Sequence, residues 1–143
     1  MDTIKDLTSR FAWPDVSTEQ GVGRACLIGA MALFWIGFIY VLAFINVLSG
    51  GELVGDAPNE GGLHVFALCA LGAAVGATVY LALLIKLQRS ALAAWVGFLW
   101  IGYEAMNALL GITPNDPLLF LMLSFAAFQG VRGCMLPTGR AGD

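Results

Sequence analysis

Glu104 is the one carboxylate inside a long apolar stretch of this 143-residue chain, and it has the strongest case for chemistry. A charge at membrane depth costs about 3 kcal/mol or more unless it is paired, hydrated or neutralised. Such an acid is suited to exchanging a proton, holding a cation or meeting a polar headgroup. Asn107 follows on a nearby helical face, Tyr103 is four residues before Asn107, and Trp100 precedes Glu104 by one turn. Counted along their own apolar segments, Asn46 and His64 fall at a similar level. Asn46, His64, Tyr103, Glu104 and Asn107 are therefore expected to converge in one leaflet. There Glu104 would supply charge, His64 a titratable nitrogen, and the amides dipoles. The structural alternative makes Glu104 a hydrogen-bonded link between helices and His64 a wet interfacial residue.

Other chemistry is excluded by inventory. With one histidine in the chain, neither paired-histidine haem ligation nor a zinc-protease HExxH is available. The spans hold no deep lysine for a Schiff base. Glu52, Asp56 and Glu60 lack calcium-loop spacing. No catalytic residue, metal site or cofactor is expected, and an enzyme is the least supported class.

The elements that must position these residues are set by composition. Apolar residues make up 59% of the chain and charged ones 12%, with a mean hydropathy of +0.81. Soluble domains run near half apolar and a quarter charged. The pattern predicts an all-α integral membrane protein with four transmembrane helices in an antiparallel up-down-up-down bundle. The spans are expected over residues 22–48, 62–86, 90–111 and 116–136, all within a single membrane domain, 1–143. The fourth is the least apolar, because Arg132 lies near its end. A short amphipathic helix over residues 3–13, with Ile4, Leu7 and Phe11 at helical spacing, is expected to lie on the interface. Ser17 and Gln20 have capping-box spacing and should open the first span. Four acids precede that span, which argues that it is retained rather than cleaved as a leader.

All seven lysines and arginines fall in the N-terminal tail or first turn of the first span, at the end of the second span or the loop after it, or in the last turn of the fourth and the tail beyond. By the positive-inside rule those segments and both termini are cytoplasmic, as in a bacterial-type plasma membrane, the inner membrane. The loops around residues 49–62 and 111–117 carry acids but no bases, so they face outward. This split points to the lipid bilayer as partner and away from nucleic acid.

Small residues mark the expected packing faces. On the second span Ala70, Ala74, Thr78 and Ala82 recur every fourth position, and Gly72 with Gly76 forms a GxxxG. The fourth repeats the device with Ala126, Gly130 and Cys134. The second span is accordingly expected to be the centre of packing, with a homo-oligomer or larger membrane complex as partner. Cys26 and Cys134 should meet if the first and fourth spans are neighbours, while Cys69 lies elsewhere, so no structural disulfide is implied.

Three functions fit these expectations. The first is a non-catalytic accessory or scaffold subunit, or a homo-oligomer. The second is a small transporter or channel with Glu104 as an intramembrane proton or cation site. The third is a lipid- or quinone-binding subunit.

Overall fold

The computed structural model describes residues 14–49, 61–113 and 116–135, with 61–64 as backbone only. The interfacial helix expected over 3–13 and the acids Glu52, Asp56 and Glu60 lie outside them. The described residues form four helices and no strands: α1 (Glu19–Leu48), α2 (Gly61–Gln88), α3 (Ala91–Leu109) and α4 (Pro117–Met135).

Local chemistry explains the helix ends. The N-cap of α1 is Thr18, one residue later than the Ser17–Gln20 capping box implied. Its backbone is extended, and its hydroxyl accepts from the Gly21 amide at 3.1 Å. The Ser17 amide instead donates to Asp15 Oδ1 at 3.0 Å. Two neighbouring hydroxyls compete for the cap, and the one at Thr18 reaches the first turn. Between α2 and α3 the turn is only Arg89 and Ser90, with Arg89 in the left-handed region at φ 49°. The Ser90 hydroxyl caps α3 by accepting from the Ala93 amide at 3.3 Å. α3 ends at Leu109 with Leu110 as its C-cap, and Gly111 follows with a φ of 68° that suits a residue without Cβ. Pro117 opens α4 at the position where a missing N–H is harmless.

α1 is the centre of packing. It is in extensive contact with α2 and α4, α4 packs on α3, and α2 and α3 touch little despite their short connection. The second span was expected in that role. α1 takes it because its small residues, Ala25, Gly29, Ala30, Ala32 and Gly37, are all buried and form a broad face that more than one helix can share. On α2 only part of the small-residue stripe is used: Thr78 and Ala82 are fully buried, whereas Ala70 is exposed. A Cβ at Gly37 would come within 2.8 Å of the Thr78 hydroxyl oxygen, so glycine there lets α2 approach. That hydroxyl is satisfied within α2 by the Ala74 and Val75 carbonyls, at 3.0 and 2.9 Å.

The closest helix contact joins α1 to α4. A Cβ at Gly29 would lie 2.5 Å from the Gly130 Cα, so these backbones touch as only glycines allow. One turn away, Cys26 Sγ and Cys134 Sγ are 3.3 Å apart. Large apolar side chains lie on the outside, among them Met31, Phe38, Leu42, Phe66, Leu92 and Met122.

Three helices, α1, α2 and α4, are long and apolar enough to cross a membrane. α4 is among them although it was expected to be the weakest span. α3 is not: Tyr103, Glu104 and Asn107 interrupt its apolar run.

Candidate ligand groove between α2 and α3

Because α2 and α3 diverge from their short turn, a groove opens between them. Its volume is about 780 Å³, within the roughly 300–1,000 Å³ range of small-molecule sites. One wall is Phe66, Ala67, Ala70, Leu71 and Ala74 of α2; the other is Leu99, Trp100, Tyr103 and Glu104 of α3, with Tyr40 of α1 at the back. The first half of the α2 stripe, Ala70 and Ala74, thus becomes groove wall. It faces bulky aromatic residues instead of another small-residue face.

Register explains how Tyr40 comes to meet Glu104. Leu33 of α1 packs over Gly97 of α3, where a Cβ would lie 2.8 Å from the Leu33 side chain. Seven residues on from each, two helical turns along the same faces, are Tyr40 and Glu104. The Tyr40 hydroxyl donates to Glu104 Oε1 at 2.8 Å, and the Trp100 indole N–H donates to the Tyr40 oxygen at 2.9 Å. The indole nitrogen can only donate, and Tyr40, accepting from it, donates its own O–H to the carboxyl group. The Tyr40 and Trp100 rings are also in contact, tilted by 46° with centroids 6.2 Å apart.

Glu104 is therefore held at one oxygen. Among the described residues its second oxygen, Oε2, has no hydrogen-bond partner, and the carboxylate has no ion-pair partner. The groove offers one fixed polar group at the edge of an apolar trough. It can accept a hydrogen bond from a ligand, take up a proton or balance a positive charge.

Of the residues expected to converge, Glu104 and Tyr103 line this groove. Asn107 is half-buried on α3 and Asn46 is exposed near the end of α1; neither belongs to the lining. The His64 side chain is outside the described residues. Tyr40 was not anticipated, because a single tyrosine in an apolar helix leaves no periodic mark. The signal available was the common level of Tyr40 and Glu104 in their spans. Of the packing residues, Gly130 meets Gly29 and Ala126 is partly buried beside the core. Gly72 and Gly76 are exposed; a Cβ at Gly72 would just reach Phe44 at 4.0 Å, and one at Gly76 would meet nothing within 4 Å. Among the described residues no group of three or more potential metal ligands occurs.

Comparison with protein-family models, with curated proteins and with solved structures finds no match.

Proposed function

We propose that this chain is a four-pass membrane protein that binds an amphipathic, membrane-dissolved molecule in the α2/α3 groove, with Glu104 receiving its polar end. The observation that carries this reading is the groove itself. It is open to the surroundings, walled by alanine, leucine and aromatic side chains, and ends on a carboxylate oriented by Tyr40. A lipid or a quinone has the matching build, an apolar body with one hydrogen-bonding head. The apolar exterior of the bundle supports lipid as its surroundings.

α3 completes the set of spans in this reading. Its polar residues line the groove, as Trp100, Tyr103 and Glu104 do, or are half-buried, as Asn107 is. Residue pairs support the up-down-up-down arrangement: Glu19 with Arg89, Gly37 with Thr78, Leu33 with Gly97 and Gly29 with Gly130. Lys86, Arg89 and Arg132 then share one end, consistent with a cytoplasmic basic face and cytoplasmic termini in a bacterial-type plasma membrane. Glu104 lies about 20 Å along α3 from that end, in the outer half of the bilayer.

The test is mass spectrometry of small molecules that copurify with the protein in mild detergent. Wild type should carry a lipid or quinone, and Ala70→Trp, which fills the trough, should lose it. Equal occupancy in both proteins, at equal folded yield, overturns the proposal. In vesicles, Glu104-dependent cation flux would instead favour the transporter reading.

A second reading, an accessory subunit or homo-oligomer, rests on the unused Gly72 and Gly76 face of α2. Crosslinking in the membrane should give a complex that Gly76→Leu dissolves. A protein that stays monomeric with glycine at 76 counts against it.

A further inference from the structure

The α1/α4 interface carries a second pair of reactive groups, remote in sequence and unrelated to the groove. Cys26 and Cys134 are 108 positions apart, yet their sulfurs are 3.3 Å from one another. This proximity is built into the backbone. Gly29 and Gly130, one turn from the cysteines, bring the two helices into backbone contact, so the two thiols are carried on helices held close together. Gly133 contributes as well: a Cβ there would lie 3.0 Å from the Cys26 sulfur and 2.9 Å from the Ala25 Cβ. Glycine at 133 leaves the thiol its place. Cys26 is buried and Cys134 is half-buried near the end of α4, so the pair combines one accessible sulfur with one sheltered sulfur.

We propose that Cys26 and Cys134 are a redox modification site, a dithiol that hydrogen peroxide converts into a disulfide stapling α1 to α4. Cys134, the reachable sulfur, attacks a peroxide oxygen as thiolate. The O–O bond breaks, the departing hydroxide takes up the proton released by the Cys134 thiol to give water, and Cys134 becomes a sulfenic acid. The Cys26 sulfur then attacks the Cys134 sulfur. The S–S bond forms, the S–O bond breaks, and the departing hydroxide takes the Cys26 proton as a second water. One peroxide is reduced to two waters while two thiols are oxidised to one disulfide. A dithiol reductant reverses the change by thiol–disulfide exchange. On the basic side of the membrane, where reducing conditions prevail, the pair rests as thiols and responds to oxidant. The exposed Cys69 on α2 has no such neighbour among the described residues and serves as an internal reference.

The experiment uses the full chain in native membranes. Samples are exposed to hydrogen peroxide with or without later dithiothreitol, alkylated with N-ethylmaleimide, and examined by peptide mass spectrometry. The expected result is a peptide linking Cys26 to Cys134, lighter by two hydrogens than the reduced pair. It should be absent after dithiothreitol, absent in Cys26→Ser and Cys134→Ser, and retained in Cys69→Ser. Unfolding of the oxidised wild type should shift to higher temperature, because the staple closes most of the chain into one loop. Recovery of both Cys26 and Cys134 as alkylated thiols, under peroxide that oxidises a reference dithiol, overturns the proposal. So does a linkage that runs through Cys69.

Discussion

The α1/α4 interface and the α2/α3 seam begin from similar material and end as opposites. Both have a stripe of small residues on one helix. At α1/α4 the facing helix is small as well, so Gly29 and Gly130 bring the backbones into contact. At α2/α3 the alanines of α2 face Leu99, Trp100 and Tyr103, and the helices stay apart around a groove. In a lipid-like solvent apolar area alone gives helices no reason to associate, so close approach depends on matched surfaces. One-sided smallness makes a site; two-sided smallness makes a joint.

That contrast can be broken most forcefully at the joint. Gly130→Leu places a branched side chain against the Gly29 backbone, which cannot rotate away. We expect a loss of roughly 3 kcal/mol or more, seen as loss of monodisperse folded protein in detergent. Gly76→Leu, with open space around it within the chain, is the control and should leave the folded monomer within about 0.5 kcal/mol of wild type. Equal unfolding temperatures for the two variants would mean that the glycine contact does not set the fold.

Next in size is Tyr40→Phe. It leaves the Trp100 N–H without its acceptor and Glu104 without its donor, a cost of about 1–3 kcal/mol if both groups stay dry. Thermal unfolding should register it, together with a change in Trp100 fluorescence. An unchanged protein would show that water reaches the cluster and replaces the hydroxyl.

The groove can then be closed without touching the joint. Ala70→Trp should reduce ligand occupancy on the order of tenfold, about 1.4 kcal/mol of binding. Unfolding without ligand should move by less than about 0.5 kcal/mol, as for exposed positions in general. A large stability loss would show that α2 packs there after all.

The smallest effect is expected at the connection. Arg89→Gly relieves a left-handed backbone that a side chain disfavours by about 1 kcal/mol. It also removes a 3.6 Å ion pair with the mostly exposed Glu19, worth about 0–1 kcal/mol. The balance should lie within about 1 kcal/mol, toward greater stability, by thermal unfolding. A loss well beyond that range would assign the arginine a larger role than closing the turn.

The sequence makes the helices legible because apolar runs and their polar borders follow from one-dimensional composition. Glu104 is legible too, since a lone acid among apolar neighbours stands out without structure. What composition does not contain is azimuth. Asn46 and Asn107 share a general level with Glu104, but level does not say which way a helix face turns, and neither reaches the groove lining. Tyr40 enters through the Leu33–Gly97 contact, a relation between two helices that neither segment encodes alone. The choice of α1 as the packing centre has the same origin. α2 has the more regular small-residue stripe, whereas α1 sets its small residues on one broad buried face and can serve several neighbours at once.

The two-residue turn at Arg89 and Ser90 gives the seam a mechanical character. α2 and α3 are tied at one end and otherwise touch little, α2 lying against α1 and α3 against α4, so these two stiff arms are joined directly only at the turn and elsewhere through their neighbours. The trough lies some 20 Å along those arms, and a change of about 5° in their angle would move its walls by about 2 Å. A slight swing at the basic end of the bundle becomes, at the far end, the width of a methyl group gained or lost.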